Sequence, residues 1–414
     1  MRILYFSSIP INFLSQKDQF YFGGWIKGLI EEIAKSNEVG VVFLQGKKNL
    51  NKVENDIKIY VVKGHYSFIT KIFRRVFHIA KIKNLSKITK NIVNDFKPDI
   101  IQVFGSENIF AYYLIKIDIP RVVHIQGILH VWIEKWYANR ISSFDVILGN
   151  LKNFLFFQGY FHDLLKFQKR LKLEKEVFDN SQYYIGRTYW DKNVVKSLNY
   201  NSVYFVCEEI LRKPFYENNI KLDFKIYDEL KLISVTDSKL YKGFYTLAIA
   251  ARILDTLKIK YRWQILGLNK TDDIVKIFRY KTKGNISKNL IFNGKVGAES
   301  LINYLVSSDI FINTSHIENS CNAIQEAMIK KMPIIATYAG GVPSIIENKI
   351  SGILIQDGDP YNLVGAIIEL SKDEELRKLL ATNAYQKAII STNPINIAEK
   401  MLNIYSNILV HQKI

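Results

Sequence analysis

Two glutamates, Glu318 and Glu326, stand eight positions apart in the run Ser315-His-Ile-Glu-Asn-Ser-Cys-Asn-Ala-Ile-Gln-Glu-Ala-Met328. An ionised carboxylate only accepts hydrogen bonds, and it can accept from two neighbouring hydroxyls at once. Sugar rings and riboses present such paired hydroxyls. The pair alone is weak evidence, because a glutamate in a first helical turn also complements the helix dipole. Its setting is more informative. The run is rich in cap formers, and Asn322 with Gln325 makes a capping-box-like helix start. A helix from about Asn322 to Lys331 would be stopped by Pro333. The N–H groups at such a helix start suit a diphosphate. A second glycine loop, Tyr338-Ala-Gly-Gly-Val-Pro-Ser344, is placed to approach the same ligand through Gly341. A further pair, Gly23-Gly24, precedes the helical pattern Ile26–Lys35; by itself it reads better as a plain turn than as a phosphate approach.

These residues need strand ends to hold them. The chain alternates short β-rich runs with amphipathic stretches of helical length. In the first half, strands are expected at Ile3–Phe6, Val39–Leu44, Ile57–Val62, Ile100–Phe104, Val122–Ile125 and Tyr183–Gly186. A second series comprises Leu232–Val235, Trp263–Leu266, Leu290–Phe292, Ile310–Asn313, Ile334–Thr337 and Gly352–Ile355. Several are continuous apolar runs, as strands buried on both faces of a parallel sheet require. Two successive series of this kind predict two doubly wound α/β domains, with the boundary near Tyr216–Lys221. In such sheets ligands sit beyond the carboxyl ends of the strands, which is where the Glu318 loop falls. A last helix is expected over Asn393–Leu409, opened by Asn-Pro.

Composition sets wider bounds. A chain of 414 residues, 48% hydrophobic, is long enough for two cores. Its two cysteines, Cys207 and Cys321, have no metal-ligand spacing, which points to a reducing compartment. The opening apolar run is too short for a signal-peptide core, and no uncharged apolar run is long enough to span a bilayer. The expected location is therefore the cytoplasm. The net charge of +18 attracts anionic partners without naming them.

At Glu318, Glu326, Ala327-Met328, Pro333, Gly340-Gly341, Glu347 and Gly352, in that order, the chain resembles retaining glycosyltransferases of family 4, which have the GT-B fold. Tyr241-Lys242-Gly243 is similar to that family's Lys-Gly phosphate contact, and Lys97-Pro98-Asp99-Ile100-Ile101 to its usual entry to a mid-domain strand. Gly186-Arg-Thr-Tyr-Trp-Asp191, Glu209-Ile-Leu-Arg212 and Phe215-Tyr216 look like a bacterial branch that builds surface polysaccharides. The resemblance implies two Rossmann-like domains facing a cleft: an acceptor-side domain over 1–218, and a nucleotide-sugar domain over 219–393. The helix 394–414 would pack back on the first of them.

It also implies roles. Glu326 would bind the ribose, Glu318 the donor-sugar hydroxyls, and Lys242 the diphosphate. Backbone groups at Cys321, Asn322 and Ala323 would cradle the phosphates, with Gly24 approaching from the other domain. Gln126, His130 and Arg187 are the acceptor-side candidates. The donor would be a UDP- or GDP-sugar, the acceptor a glycan on a lipid carrier. No metal and no tightly bound cofactor is implied.

The chain departs from the family pattern in three places. Thr236 stands where an arginine is common, Gln126 where a histidine is common, and Asn319-Ser320-Cys321 where a Gly-Phe-Gly-like stretch is usual. Asp357-Gly358-Asp359 has the spacing of a metal-binding Asp-x-Asp but reads better as a turn. Two basic, aromatic stretches, Ile69–Lys81 and Asn153–Lys175, suit either an anionic membrane surface at the first domain or plain packing on its sheet. The competing functions are a nucleotide-sugar-binding protein without transferase activity and a nucleic-acid-binding protein. The positive runs form no recognisable nucleic-acid module.

Overall fold

The computed structural model describes residues 1–8, 24–45, 49–64, 76–77, 84–138, 140–217, 224, 228–284 and 286–411. The chain divides into two compact units. The first comprises Met1–Ile133, His162–Ile210 and Thr392–Ile414; the second comprises Glu134–Phe161 and Leu211–Ser391.

The first unit is built on an eight-stranded sheet. Its strands are β1 (Arg2–Ser7), β2 (Glu38–Leu44), β3 (Leu50–Glu54), β4 (Ile57–Val62), β5 (Ile100–Phe104), β6 (Arg121–His124), β7 (Tyr183–Gly186) and β8 (Val203–Val206). They lie in the order β3-β4-β2-β1-β5-β6-β7-β8. Every pairing is parallel except that of β3 with β4. The central strands are mostly apolar because helices cover both faces. The helix Pro394–His411 belongs to this unit. Asn393 caps it, its Oδ1 accepting from the N–H groups of Ile395 and Asn396. Its fully buried Tyr405 donates to Gln102 Oε1 at 2.6 Å and lies 3.1 Å from the hydroxyl of Tyr5.

The second unit carries six parallel strands: β9 (Leu230–Val235), β10 (Tyr261–Leu266), β11 (Leu290–Gly294), β12 (Ile310–Asn313), β13 (Ile334–Thr337) and β14 (Ile353–Ile355). Their order is β11-β10-β9-β12-β13-β14. The chain builds outward from β9 to one edge, then returns to β12 and builds to the other. The switch point lies between β9 and β12, where a doubly wound sheet binds its ligand. The buried Trp263 indole donates to Ser234 Oγ, which donates to the Ile312 carbonyl, so these two buried polar groups are paired.

All twelve expected strands are present. The two that the pattern missed, β3 and β8, are the edges of the first sheet. β3 reads Leu-Asn-Lys-Val-Glu and is mostly exposed, so it lacks the apolar run that marks its neighbours. The chain changes unit at Ile210–Leu211 rather than at 218–219, and Glu134–Phe161 joins the second unit. The reason is tertiary packing. The helix Ser143–Gly149 lies against the helix Asp273–Lys281, and a Cβ on Gly149 would sit 2.9 Å from Ile277 Cα. Lys281 pairs with Asp145 at 2.7 Å, and Asn153 donates to Asp273 at 2.5 Å.

Candidate functional site

In the second unit, β12 ends at Asn313 and the loop Thr314–Cys321 leads into the helix Asn322–Ile329. Two glycines allow the loop its tight course. Gly243 has φ +76°, and a Cβ there would lie 1.7 Å from the Thr314 carbonyl oxygen. Gly340 has φ +54°, and a Cβ there would lie 2.0 Å from the Glu318 carbonyl oxygen. No other residue type fits either place without moving backbone. The Gly341 N–H donates to that Glu318 carbonyl at 2.8 Å, so the second glycine loop clasps the first. Gly341 therefore fixes the Glu318 loop, and its N–H is spent there rather than on a ligand.

The Glu318 carboxylate, 8% exposed as a residue, takes Lys242 Nζ at 2.6 Å and Ser315 Oγ at 2.7 Å on the same oxygen, Oε1. Burial works against the Lys242 charge, but Glu318 and the neighbouring Cys321, Asp237 and Tyr241 outweigh it, and the ammonium is held above its usual range. The Cys321 thiol is pushed up to about 12 by burial and then by Glu318, so it stays neutral. Cys321 is the N-cap of the helix and no side chain caps it, in place of the expected box from Asn322 to Gln325. Asn322 and Ala323 form the first turn, and Gln325 is buried with no partner for Oε1. Asn319 is likewise buried with neither amide atom paired, and Thr236 Oγ1 has no partner. Orphaned buried polar atoms are rare in a finished fold and mark a place where a polar ligand completes the bonding.

Glu326 lies one turn into the same helix, 5% exposed. Arg212 grips it with a two-pronged contact, Nε to Oε1 and Nη2 to Oε2, both 2.7 Å. Burial raises the Glu326 pKa against the lowering effect of Arg212. The fork uses one acceptor position on each oxygen and leaves others for a ligand. Sequence reasoning did not assign Arg212 to the site. It lies 114 positions from its partner, and nothing local marks it.

His316 was also missed. Its Nδ1 lies 2.5 Å from Asp357 Oδ1, and Lys135 approaches Asp357 Oδ2 at 3.3 Å. Burial would raise the Asp357 pKa, but His316 and Lys135 bring it below the usual carboxylate value. The other ring nitrogen, Nε2, is buried and without a partner. Asp359 caps the helix Pro360–Lys372 by accepting from Tyr361 and Asn362 N–H, and Gly358 has φ +74°. Asp357-Gly358-Asp359 is thus a capped turn with both carboxylates engaged.

The remaining candidates belong to the first unit. Gly24 opens the helix Gly24–Ala34, while Gly23 lies outside the described residues. Gln126 Nε2 and Arg187 Nη1 donate to the two oxygens of the buried Glu209, at 2.7 and 2.6 Å. His124, between Gln102 at 3.1 Å and Glu209 at 3.8 Å, is fully buried. Burial and then Arg187 push its pKa down to about 3, so it is a neutral ring. His130 stands apart from this group. Its Nδ1 lies 2.6 Å from Glu174, which also accepts the N–H groups of Leu129 and His130 and the hydroxyl of Ser106. Burial, with Glu174 nearby, pushes the Glu107 carboxyl up to about 8.

Of the two basic, aromatic stretches, Ile69–Lys81 lies outside the described residues except for Val76 and Phe77. The other divides. Tyr160 is buried and donates to the Ser238 carbonyl, and Phe154 and Phe161 meet edge to face at 5.4 Å. Leu155, Phe156 and Phe157 are exposed, and they belong to the second unit rather than the first.

Residues 217–387 match the family model described as Glycosyl transferases group 1. An uncharacterized glycosyltransferase of Methanocaldococcus jannaschii is 25% identical over 328 residues, covering 77% of this chain and 74% of that protein. Among solved structures, sucrose-phosphate synthase from Thermosynechococcus elongatus superposes with a TM-score of 0.72 at 14% identity, covering 99% of each chain. HepE from Anabaena, solved with UDP and glucose, superposes at 0.68 and 15% identity, covering 98% of this chain and 99% of that one. The parallel sheets, the switch-point loop and these matches lead to one conclusion: residues 217–387 are a glycosyl transferases group 1 domain within a GT-B fold, and the protein is a glycosyltransferase.

Proposed function

We propose that the protein transfers a glycosyl group from a nucleoside-diphosphate sugar to a glycan acceptor on a lipid carrier, retaining the donor's anomeric configuration, in the building of a cell-surface polysaccharide. The observation that carries this reading is the convergence of the two carboxylates with their cations at the switch point of the second sheet. Arg212 aims Glu326, and Lys242 with Ser315 aims Glu318. In this reading Glu326 accepts from the ribose hydroxyls and Glu318 from the donor sugar. The compact Lys242 ammonium offsets charge as it develops on the departing diphosphate. The N–H groups at Cys321–Ala323 face the same phosphates with no side-chain cap in competition. Asn319, Gln325 and His316 bring unpaired buried atoms that sugar and base hydroxyls or amides would satisfy.

The other part of the reading is the acceptor, for which Gln126, Arg187 and His130 remain the candidates, with Gly24 kept as a donor-phosphate contact. The test is turnover. Purified protein is incubated with UDP- and GDP-sugars and a lipid extract, and the product's anomeric signal is followed by NMR. An axial donor should give an axial product at the first time point. An equatorial first product would overturn the retaining assignment. Nucleotide binding without donor consumption in any extract would favour a protein that binds nucleotide sugars without transferring them.

A further inference from the structure

The segment Ser143–Phe157 presents an apolar face that the site does not use. The helix Ser143–Gly149 exposes Phe144 and Leu148, four positions apart and so on one side. The helix Leu151–Leu155 exposes Leu151 and Leu155 in the same relation, and Phe156 and Phe157 follow. Phe144, Leu155 and Phe156 are each more than 60% exposed. Six large apolar side chains in fourteen positions is far denser than the scattered exposure normal for a soluble surface.

The element is anchored, so the face is not the outside of a loose loop. Val146 is buried, Gly149 lies against the backbone of Ile277, and Asp145 and Asn153 are tied to Lys281 and Asp273. The helix it rests on is basic. From Asp272 to Lys283 there are four cations, Lys276, Arg279, Lys281 and Lys283, against two acids; Lys276 pairs with Asp273 and Lys281 with Asp145, and Lys152 lies exposed within the apolar segment itself. Exposed leucine and phenylalanine on an element whose supporting helix carries lysine and arginine is the composition of a surface that enters the headgroup layer of an anionic bilayer. A protein partner's interface core would instead be depleted of lysine.

We propose that Ser143–Phe157, with the basic helix Asp273–Lys281 behind it, is a membrane-docking element that inserts its Leu and Phe side chains among anionic lipids. The proposal stands on this face alone and does not depend on the donor chemistry. It gives a surface by which an enzyme acting on a lipid-linked acceptor would reach it.

The experiment is flotation of the full chain with vesicles of phosphatidylcholine alone and of phosphatidylcholine mixed with phosphatidylglycerol. The wild type should float with the anionic vesicles and much less with the neutral ones, and added salt should weaken the binding. Leu155→Ser combined with Phe156→Ser should lower the bound fraction at least tenfold. Leu379→Ser, at an exposed leucine elsewhere, should leave it unchanged. Nucleotide-sugar thermal shifts of all variants should match the wild type, which separates this result from failure of the proposed activity. Absence of anionic-vesicle binding by the wild type, or equal binding by the double variant, would overturn the proposal. So would a wild-type dimer in solution that the double variant dissolves.

Discussion

The most informative single residues are the cations behind the two glutamates. A buried carboxylate without a partner tends to take up a proton, and protonation would turn one of its accepting oxygens into a donor. In the proposed reading Lys242 does more than neutralise Glu318, because its ammonium would offset the charge that a leaving diphosphate gains. Lys242→Met should therefore lower kcat by about a hundredfold to a thousandfold, with a much smaller change in KM. Steady-state kinetics on the purified variant would check this; a KM effect with kcat intact would assign Lys242 to ground-state binding only. The sequence carried Lys242 and both glutamates through short patterns that keep their spacing. It could not carry Arg212 or His316, whose partners are brought to them by the fold alone. Thr236, where the resembling family often has an arginine, has an unpaired hydroxyl beside the site. The cation that grips a site carboxylate is instead Arg212, which reaches Glu326 from outside the strand series.

At the scale of elements, the site is a set of loops locked to one another by backbone. The Glu318 loop is pinned from one side by Gly340 and Gly341, and Thr314 is pinned by Gly243 from the other. These contacts leave no room for a side chain, and the positive φ at Gly243 adds a second penalty. Gly243→Ala should cost about 2–4 kcal/mol of stability, measurable by denaturant unfolding. A cost below the measurement error would mean that the loop is not held as described. The strands behind these loops were legible because a doubly covered parallel strand reads as a near-continuous apolar run, as at 310–312 and 334–336. Edge strands carry no such demand, so Leu50–Glu54 left no trace, whereas Val203–Val206 is a short apolar run, Val-Tyr-Phe-Val, that the strand pattern did not include. The helix cap at Cys321 was misread for a related reason. Asn322 and Gln325 have the right chemistry for a capping box, yet the helix begins one residue earlier and leaves its N-terminus without a side-chain cap.

For the whole molecule, hydrophobic periodicity established two α/β units but not their exact membership. Glu134–Phe161 follows the sixth strand of the first sheet in sequence and is held by the second unit through Gly149, Asp145 and Asn153. A long-range helix packing of this kind has no local signature. The assignment of the last helix to the first unit rests on Tyr405, whose hydroxyl completes a buried chain with Tyr5 and Gln102. Among the described residues no helix is long and apolar enough to cross a membrane, so contact with lipid would be made by surface elements. The central claim is that the switch point of the second unit receives a nucleotide sugar through Glu326. It is tested most directly by thermal shift with a panel of UDP- and GDP-sugars on wild type and Glu326→Ala. Removing Glu326 leaves Arg212 without its counter-charge, so the unliganded variant should melt lower, and the ligand-induced increment is the quantity to compare. The account predicts a rise in melting temperature with at least one donor for the wild type and none for the variant. No rise with any donor, or an equal rise in Glu326→Ala, would contradict it.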